Sequence, residues 1–210
     1  MEILNQLSSQ KGDKTEDSNK IAAEKCIANP HLLAEIAVGF ENKDKKLQSD
    51  CIEVFTLVSE KKPEFTVLYA EKIVPLLYSK EAKTRWETVH TLSYIAGKTP
   101  DTVSHILPAL RSLIEKDHST IVRDYAIDTV ANYAKTSVET SEEAYELLKF
   151  TLDLWGEKHA RQVLRGFNYV LDNISDYKAE INLLVQPYLS ANKKIVATEA
   201  KKIIKRTEKQ

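Results

Sequence analysis

The chain has 210 residues, of which 42% are hydrophobic and 29% charged, a balance too apolar for a disordered chain and typical of a heavily solvated helical protein. Only five Gly and six Pro occur, which is too few for a turn-rich all-β fold of this length. No apolar run approaches the roughly 20 residues that a transmembrane helix needs, and residues 1–7 do not resemble a secretion signal, so we expect a cytoplasmic protein without membrane contact.

The formal net charge of −1 is unevenly distributed along the chain. Residues 193–209 hold seven Lys or Arg and two Glu, a net charge of +5, which leaves −6 on the rest. We interpret this basic segment as a solvated cap on the last helix, whose C-terminus favours cations. Contact of the same segment with phosphates or with an acidic partner is the alternative.

In chain order, a helical cap over residues 1–29 is followed by repeats over residues 30–208, which together predict one domain. A short helix, a loop over residues 8–14 and a second helix over residues 18–28 form the predicted cap. Residues 140–143, Thr-Ser-Glu-Glu, predict the start of a helix in the fourth repeat. The repeats are pairs of helices over residues 30–63, 64–100, 101–138, 139–176 and 177–208.

Two segments that lie 38 residues apart share one pattern, RWETVHTLSYIA over residues 85–96 and RDYAIDTVANYA over residues 123–134. Each follows an apolar run that contains a proline, IVPLL over residues 73–77 and ILPAL over residues 106–110. A period of this size with two helical patterns in each repeat indicates a solenoid of stacked helices.

The second helix of each pair carries its apolar residues on one face, at i, i+1, i+4, i+7 and i+8. These core positions are Cys51, Ile52, Phe55, Val58 and Ser59; Thr88, Val89, Leu92, Ile95 and Ala96; Ala126, Ile127, Val130, Tyr133 and Ala134; and Gly166, Phe167, Val170, Asn173 and Ile174. The first position is small in every copy, with Ala200 expected in the fifth, so we expect neighbouring helices to approach closely. Cys26 and Cys51 lie in no metal or disulfide motif and are predicted to be buried.

The third repeat resembles the HEAT-repeat family of armadillo-type solenoids in a proline in the first helix, an Asp near the turn and a Val-Arg pair that opens the second helix. The residues concerned are Pro108, Asp117, Val122, Arg123 and Ala126. This resemblance implies an all-α, right-handed α-solenoid of about five HEAT-like hairpins plus the N-terminal helical segment. In that family the second helices line the concave side. Tetratricopeptide arrays fit less well, because their period is nearer 34 residues.

Motifs of catalysis are missing from the sequence. It contains no HExxH, GxSxG or GxGxxG motif, and its five His do not pair at i, i+4 as they would on a helical metal site. We therefore predict no catalytic residue, no metal site, no cofactor and no enzymatic activity.

Trp86, His90 and Tyr94 recur at i, i+4 and i+8, opposite the core face of the same helix. The family resemblance implies that they face the concave groove, and Trp and Tyr are favoured residues in protein interfaces. We predict a protein or peptide partner along this groove, with Trp86 and Tyr94 as apolar contacts, and with His90 and the neighbouring acids providing polar selectivity towards a basic partner. Ordinary packing of the three rings is the alternative. Neighbouring helices would add Glu53, Asp124, Asp128 and Asn132.

The segment Trp86 to His90, Trp-Glu-Thr-Val-His, also resembles the Trp-Asp-x-Val-Asp segment of the HEAT-like alkylpurine DNA glycosylases. The resemblance implies binding of duplex DNA, with Trp86 at the lesion, but His90 replaces the acid that would stabilise a sugar cation. The acids expected in the groove would also repel phosphates. A nucleic-acid-binding or degenerate DNA-repair protein is therefore the alternative function, and a regulatory subunit that caps an enzyme is a third.

Overall fold

In the computed structural model, which describes residues 2–208, all regular secondary structure is helical, with 12 α-helices and no β-strand in that range. The predicted all-α class is therefore confirmed. The helices form two compact units, Met1–Thr102 and Val103–Gln210, here called the N-terminal and C-terminal units. None of the helices within residues 2–208 is both long and apolar enough to span a membrane. The single domain over residues 1–210 stays a prediction.

The N-terminal unit contains α1 (Ser8–Lys11), α2 (Asp17–Ala28), α3 (Leu32–Val38), α4 (Lys45–Lys61), α5 (Ala70–Ile73) and α6 (Ala82–Ile95). Helix α7 (Pro100–Lys116) begins in the last three residues of the N-terminal unit and lies mostly in the C-terminal unit. The C-terminal unit also contains α8 (Thr120–Tyr133), α9 (Val138–Trp155), α10 (Ala160–Asn173), α11 (Lys178–Val185) and α12 (Lys194–Thr207). Short 3₁₀ segments are Leu4–Gln6, Gly39–Glu41, Pro63–Phe65, Val67–Tyr69, Val74–Tyr78, Ala96–Lys98, Gly156–Lys158, Ser175–Tyr177 and Gln186–Ser190.

The helices follow one another as pairs, and the second helix of each pair is the longer and more regular one in most of them. In the N-terminal unit α2 packs on α4 and α4 packs on α6, and in the C-terminal unit α8 packs on α10 and α10 on α12. Two of the first helices give way to a 3₁₀ segment at a proline, because proline lacks an N–H and its ring clashes with the preceding turn, whereas α7 continues through Pro108. Pro75 lies in the 3₁₀ segment after α5, and Pro187 in the one after α11.

Two predicted boundaries are wrong. Residues 8–11 form the helical turn α1 rather than a loop, and the backbone N–H of Ser8 donates to Asn19 Oδ1 at 2.9 Å, a contact with α2 that local sequence does not reveal. Helix α9 begins at Val138, earlier than residues 140–143 suggested. Ser137 is its N-cap and forms a capping box with Thr140, which satisfies two backbone groups reciprocally.

The predicted core face is buried in the first three repeats, where all fifteen side chains are at most 2% exposed. In the fourth repeat Phe167 and Val170 are fully buried and Gly166 is enclosed. Helix α10 ends at Asn173, so the last predicted core position, Ile174, lies beyond the helix. Asn173 instead donates through Nδ2 to Ala134 O and Ser141 Oγ, both at 2.9 Å. Asn173 and Ile174, the last two predicted core positions of this repeat, are therefore only half-buried, unlike the equivalent positions of the first three repeats.

Small residues in the core allow close packing, as predicted. A Cβ on Gly166 would lie 2.6 Å from Leu148 Cδ1 and 3.2 Å from Ala131 Cβ, and one on Gly39 would lie 2.3 Å from Cys51 Sγ. Both cysteines are free and fully buried, and burial raises the pKa of each thiol to about 12.

We predict that Gly166→Ala lowers the free energy of unfolding by about 1 kcal/mol. Overpacking costs typically 1–3 kcal/mol, against a gain of about 1 kcal/mol in helix propensity. The measurement is chemical denaturation, with Leu148→Ala as the background that removes the clashing methyl groups. In that background Gly166→Ala should cost less or become stabilising, and an equal loss in both backgrounds would contradict the steric account.

Candidate functional site

The three rings predicted from the sequence lie on α6, one helical turn apart. The opposite face of the helix buries Val89, Leu92 and Ile95 completely. Trp86, His90 and Tyr94 are each partly exposed, and together they are called the ring stripe. The periodicity of the helix thus separates a core face from a partly exposed aromatic face.

His90 and Tyr94 form a contact within the ring stripe. His90 Nε2 lies 3.0 Å from the Tyr94 hydroxyl, and the two ring centroids are 4.9 Å apart with planes tilted by 32°. Burial lowers the pKa of His90 from 6.5 to about 4, because desolvation disfavours the charged imidazolium. At neutral pH the ring stripe is therefore uncharged.

The indole N–H of Trp86 is enclosed and finds no hydrogen-bond acceptor among residues 2–208. The other tryptophan differs, because Trp155 Nε1 donates to Ile114 O at 2.9 Å. A buried donor without an acceptor costs about 1–3 kcal/mol. Such a group in a folded protein calls for an explanation, and ligand contact is one.

Glu53 lies on α4, as predicted, but it is only 4% exposed. Its carboxylate accepts from Lys83 Nζ at 2.8 Å and from Asn19 Nδ2 at 2.9 Å. The amide of Asn19 also donates to Asp50 at 3.0 Å, and Asp50 accepts from the Ser9 backbone N–H at 2.7 Å. This network joins α1 and α2 to α4, and α4 to α6.

Asp124 and Asp128, both on α8, also pair with side chains at the next second helix of their unit, Asp128 with a residue of α10 and Asp124 with its N-cap residue. Asp124 Oδ1 lies 2.7 Å from His159 Nδ1, and Asp128 bonds to Arg165 of α10. Asp172 of α10 continues the series by accepting from Arg206 Nη2 of α12 at 2.6 Å. Asn132 is half-buried on the same face of α8. The three carboxylates are thus committed to contacts between helices, Asp128 and Asp172 in ion pairs and Asp124 in a hydrogen bond with His159.

Sequence reasoning missed the basic members of these pairs, although a signal was present. The acids and bases are 35, 37 and 34 residues apart in the three pairs of the C-terminal unit, close to the repeat period. An acid and a base one period apart lie on adjacent second helices at the same level. Glu53 pairs with Lys83 and with Asn19, and no comparable signal in the sequence marks these two partners. Asn19 lies in the N-terminal cap, outside the repeats.

His159 is fully buried, and both of its ring nitrogens are occupied. Arg123 Nε donates to His159 Nε2 at 3.2 Å, so the tautomer assigned to the imidazole carries its proton on Nδ1 and donates it to Asp124. The Arg123 guanidinium also lies over the Trp155 ring, 4.3 Å from its centroid. The Asp–His pair therefore holds Arg123 in place rather than presenting a base to a substrate.

Glu87 corresponds to the first acid of the glycosylase-like segment and points away from solvent. It is 5% exposed, and burial raises the pKa of its carboxyl from 4.5 to about 7. At the position of the second acid of that segment, this chain has the neutral His90. Within residues 2–208 no group of three or more His, Cys, Asp or Glu side chains has the arrangement of a metal site.

Comparisons with known proteins identify the fold but no family. The sequence matches no known family model and no curated protein. A designed armadillo repeat protein resembles this structure with a TM-score of 0.70 at 14% identity, over 98% of both chains. Another, solved in complex with the peptide (KR)4, has a TM-score of 0.73 at 15% identity, again over 98% of both chains.

An archaeal HEAT-like repeats protein from Thermococcus onnurineus NA1 is also similar, with a TM-score of 0.56 at 13% identity over 90% of this chain and 92% of its own. These similarities confirm the predicted armadillo/HEAT-type helical repeat fold. Identities this low describe the fold alone.

We predict opposite effects of Glu87 and His90 on stability between about pH 4.5 and 6.5. The raised pKa of Glu87 contributes stability that is present below pH 4.5 and lost as pH rises through 7. The lowered pKa of His90 contributes stability that is present above pH 6.5 and lost as pH falls towards 4. The two contributions oppose each other on one helix.

Glu87→Gln should therefore make the protein less stable on acidification relative to wild type, and His90→Gln should make it more stable. Through linkage, Glu87 should change the free energy of unfolding by at most about 1.4 kcal/mol per pH unit. The measurement is denaturant unfolding at a series of pH values, with the double variant as control. Parallel pH profiles for wild type and both single variants would refute this assignment.

The two tryptophans should respond differently to loss of the indole N–H. Trp155→Phe breaks a hydrogen bond that the folded protein makes, whereas Trp86→Phe removes an N–H that has no acceptor. Trp155→Phe should therefore lower the free energy of unfolding more than Trp86→Phe does, by about 1–3 kcal/mol. Denaturant unfolding of both variants gives the difference. Equal losses would mean that the Trp86 N–H is satisfied in the free protein.

Proposed function

We propose that this chain is a non-catalytic repeat scaffold that binds a segment of a partner protein on the ring stripe of α6. The observation that supports this most directly is the partly exposed Trp86, whose indole N–H has no acceptor within residues 2–208. A partner that supplies an acceptor gains a hydrogen bond that folding leaves unmade. The indole must turn outward to form it, because the N–H is enclosed in the free protein.

The chemistry of the ring stripe suits a protein partner. Aromatic side chains bury a large area at little entropic cost, and they dominate the energetics of many protein interfaces. The neutral state of His90 avoids the desolvation of a charge when a partner covers it. Tyr94 and His90 are already in contact with each other, so they form a surface that is partly organised before binding.

A designed armadillo repeat protein of the same fold binds the basic peptide (KR)4. We propose that this chain also binds an extended peptide segment, but that the segment is not selected for basic residues. Asp124 and Asp128 are paired with His159 and Arg165, and Glu53 with Lys83, so these acids chiefly hold neighbouring helices together.

Nucleic-acid binding is the second candidate, favoured by the exposed face of α12. Lys194, Lys201 and Lys205 lie opposite the buried residues of that helix, and their ammonium groups form no ion pair with any residue in 2–208. Lys209 of the predicted basic segment lies outside the described residues. Arg206, by contrast, is committed to Asp172.

The test is a selection of short random peptides displayed on phage, with wild-type protein as bait. Selected peptides are then titrated by fluorescence anisotropy against wild type, Trp86→Ala, Trp86→Phe and the matched control Trp155→Phe. We expect Trp86→Ala to bind more than roughly tenfold more weakly, Trp86→Phe to bind severalfold more weakly, and Trp155→Phe to bind as wild type does.

Peptides that bind Trp86→Ala as tightly as wild type would contradict the proposal, provided that circular dichroism shows the variant folded. No selected peptide, together with binding of duplex DNA that weakens steeply with salt, would favour the second candidate instead.

A further inference from the structure

An apolar cleft of about 200 Å³ lies between α2 and α4 of the N-terminal unit. Ala23, Ile27 and Leu57 form its apolar lining, and Ile27 and Leu57 are partly exposed. The remaining lining residues are charged: Lys20, Glu24 and Lys61. The cleft is thus an apolar recess with a polar rim, open to solvent.

The cleft and the ring stripe lie on the same face of the unit. The core positions of α4 and α6 are equivalent at a spacing of 37 residues and are all buried, so equivalent positions point in the same direction from the two helices. By that equivalence Leu57 corresponds to Tyr94. Two buried hydroxyl contacts fix the register, Ser49 to Thr84 at 2.7 Å and Thr56 to Thr91 at 2.8 Å.

The distance between the two features sets the spacing of the residues that would occupy them. Packed helices have axes roughly 8–10 Å apart. An extended chain advances roughly 3.3 Å per residue. A segment that crosses α4 and α6 therefore spans the distance between the Leu57 side of the cleft and the Tyr94 ring with about three residues.

The charges at the rim of the cleft favour a negatively charged group on the partner. Lys61 is exposed and forms no ion pair with any residue in 2–208, whereas Lys20 lies 3.1 Å from Asp17. Glu24 is the single acid of the rim, against two lysines. A carboxylate that approaches Lys61 meets an uncommitted ammonium group, while a basic side chain there meets like charge.

We infer that the partner of this scaffold carries an aliphatic residue that fills the apolar cleft, an acidic residue beside it that pairs with Lys61, and an apolar residue about three positions away that packs on the ring stripe. The inference rests on the proposed function, because it assumes the same partner segment. It defines that partner as an extended acidic and aliphatic segment, unlike the basic peptide bound by the designed armadillo protein.

The test uses the peptides selected on wild-type protein, each resynthesised with its aliphatic residue changed to Ala and, separately, its acidic residue changed to Lys. The protein variants are Leu57→Ala, Lys61→Glu and the control Leu68→Ala, which removes a 75% exposed leucine outside the cleft. Thermal unfolding by circular dichroism checks that each variant is folded.

We expect Leu57→Ala to weaken binding roughly tenfold for the original peptide and to have little further effect on the peptide that already carries Ala. Lys61→Glu should weaken the acidic peptide and strengthen the Lys-substituted one, which charge complementarity requires. Leu68→Ala should bind as wild type does.

Two further outcomes separate this inference from the proposed function. Peptides that need Trp86 but bind Leu57→Ala and Lys61→Glu as tightly as wild type would overturn the inference and leave the proposed function intact. Peptides that are insensitive to Trp86, Leu57 and Lys61 alike would overturn both. Selection of basic peptides that prefer Lys61→Glu would also overturn the inference.

Discussion

Ser49 and Thr84 face each other across the buried boundary between α4 and α6, and Thr56 and Thr91 repeat this contact two turns further along. Hydrogen bonds inside a protein are costly to leave unmade, so these pairs specify one register for the two helices. Glu53 and Lys83 add a third contact at the same boundary. The position of the ring stripe beside Leu57 depends on that register, because a slip of one turn would separate them.

In the C-terminal unit, ion pairs between neighbouring helices fix their register. Its acids on α8 and α10 pair with bases on the following second helix, and small core residues such as Gly166 bring the helices close enough for these contacts. The pair of Asp128 and Arg165 is costly to break, since the largely buried Asp128 carboxylate is then left without its partner. The acids therefore offer a partner less free charge than their number suggests.

The sequence allowed the repeat period, the core face and the ring stripe to be predicted, because each depends on a helical period visible in one segment. Contacts between distant segments could not be predicted in the same way. The turn at residues 8–11 depends on Asn19, and the burial of Glu53 depends on both Asn19 and Lys83. The unmet N–H of Trp86 depends on all the atoms that enclose it, so no spacing in the sequence reveals it.

The measurement that tests the account most directly is an NMR comparison of the two indole N–H groups, in free protein and with a peptide selected on wild type. The chain has two tryptophans, and Trp155→Phe assigns their signals. We predict that the Trp86 signal moves downfield and becomes protected from hydrogen exchange when the peptide binds, while the Trp155 signal stays unchanged. A Trp86 signal that is unchanged by saturating peptide would show that the indole does not turn to the partner.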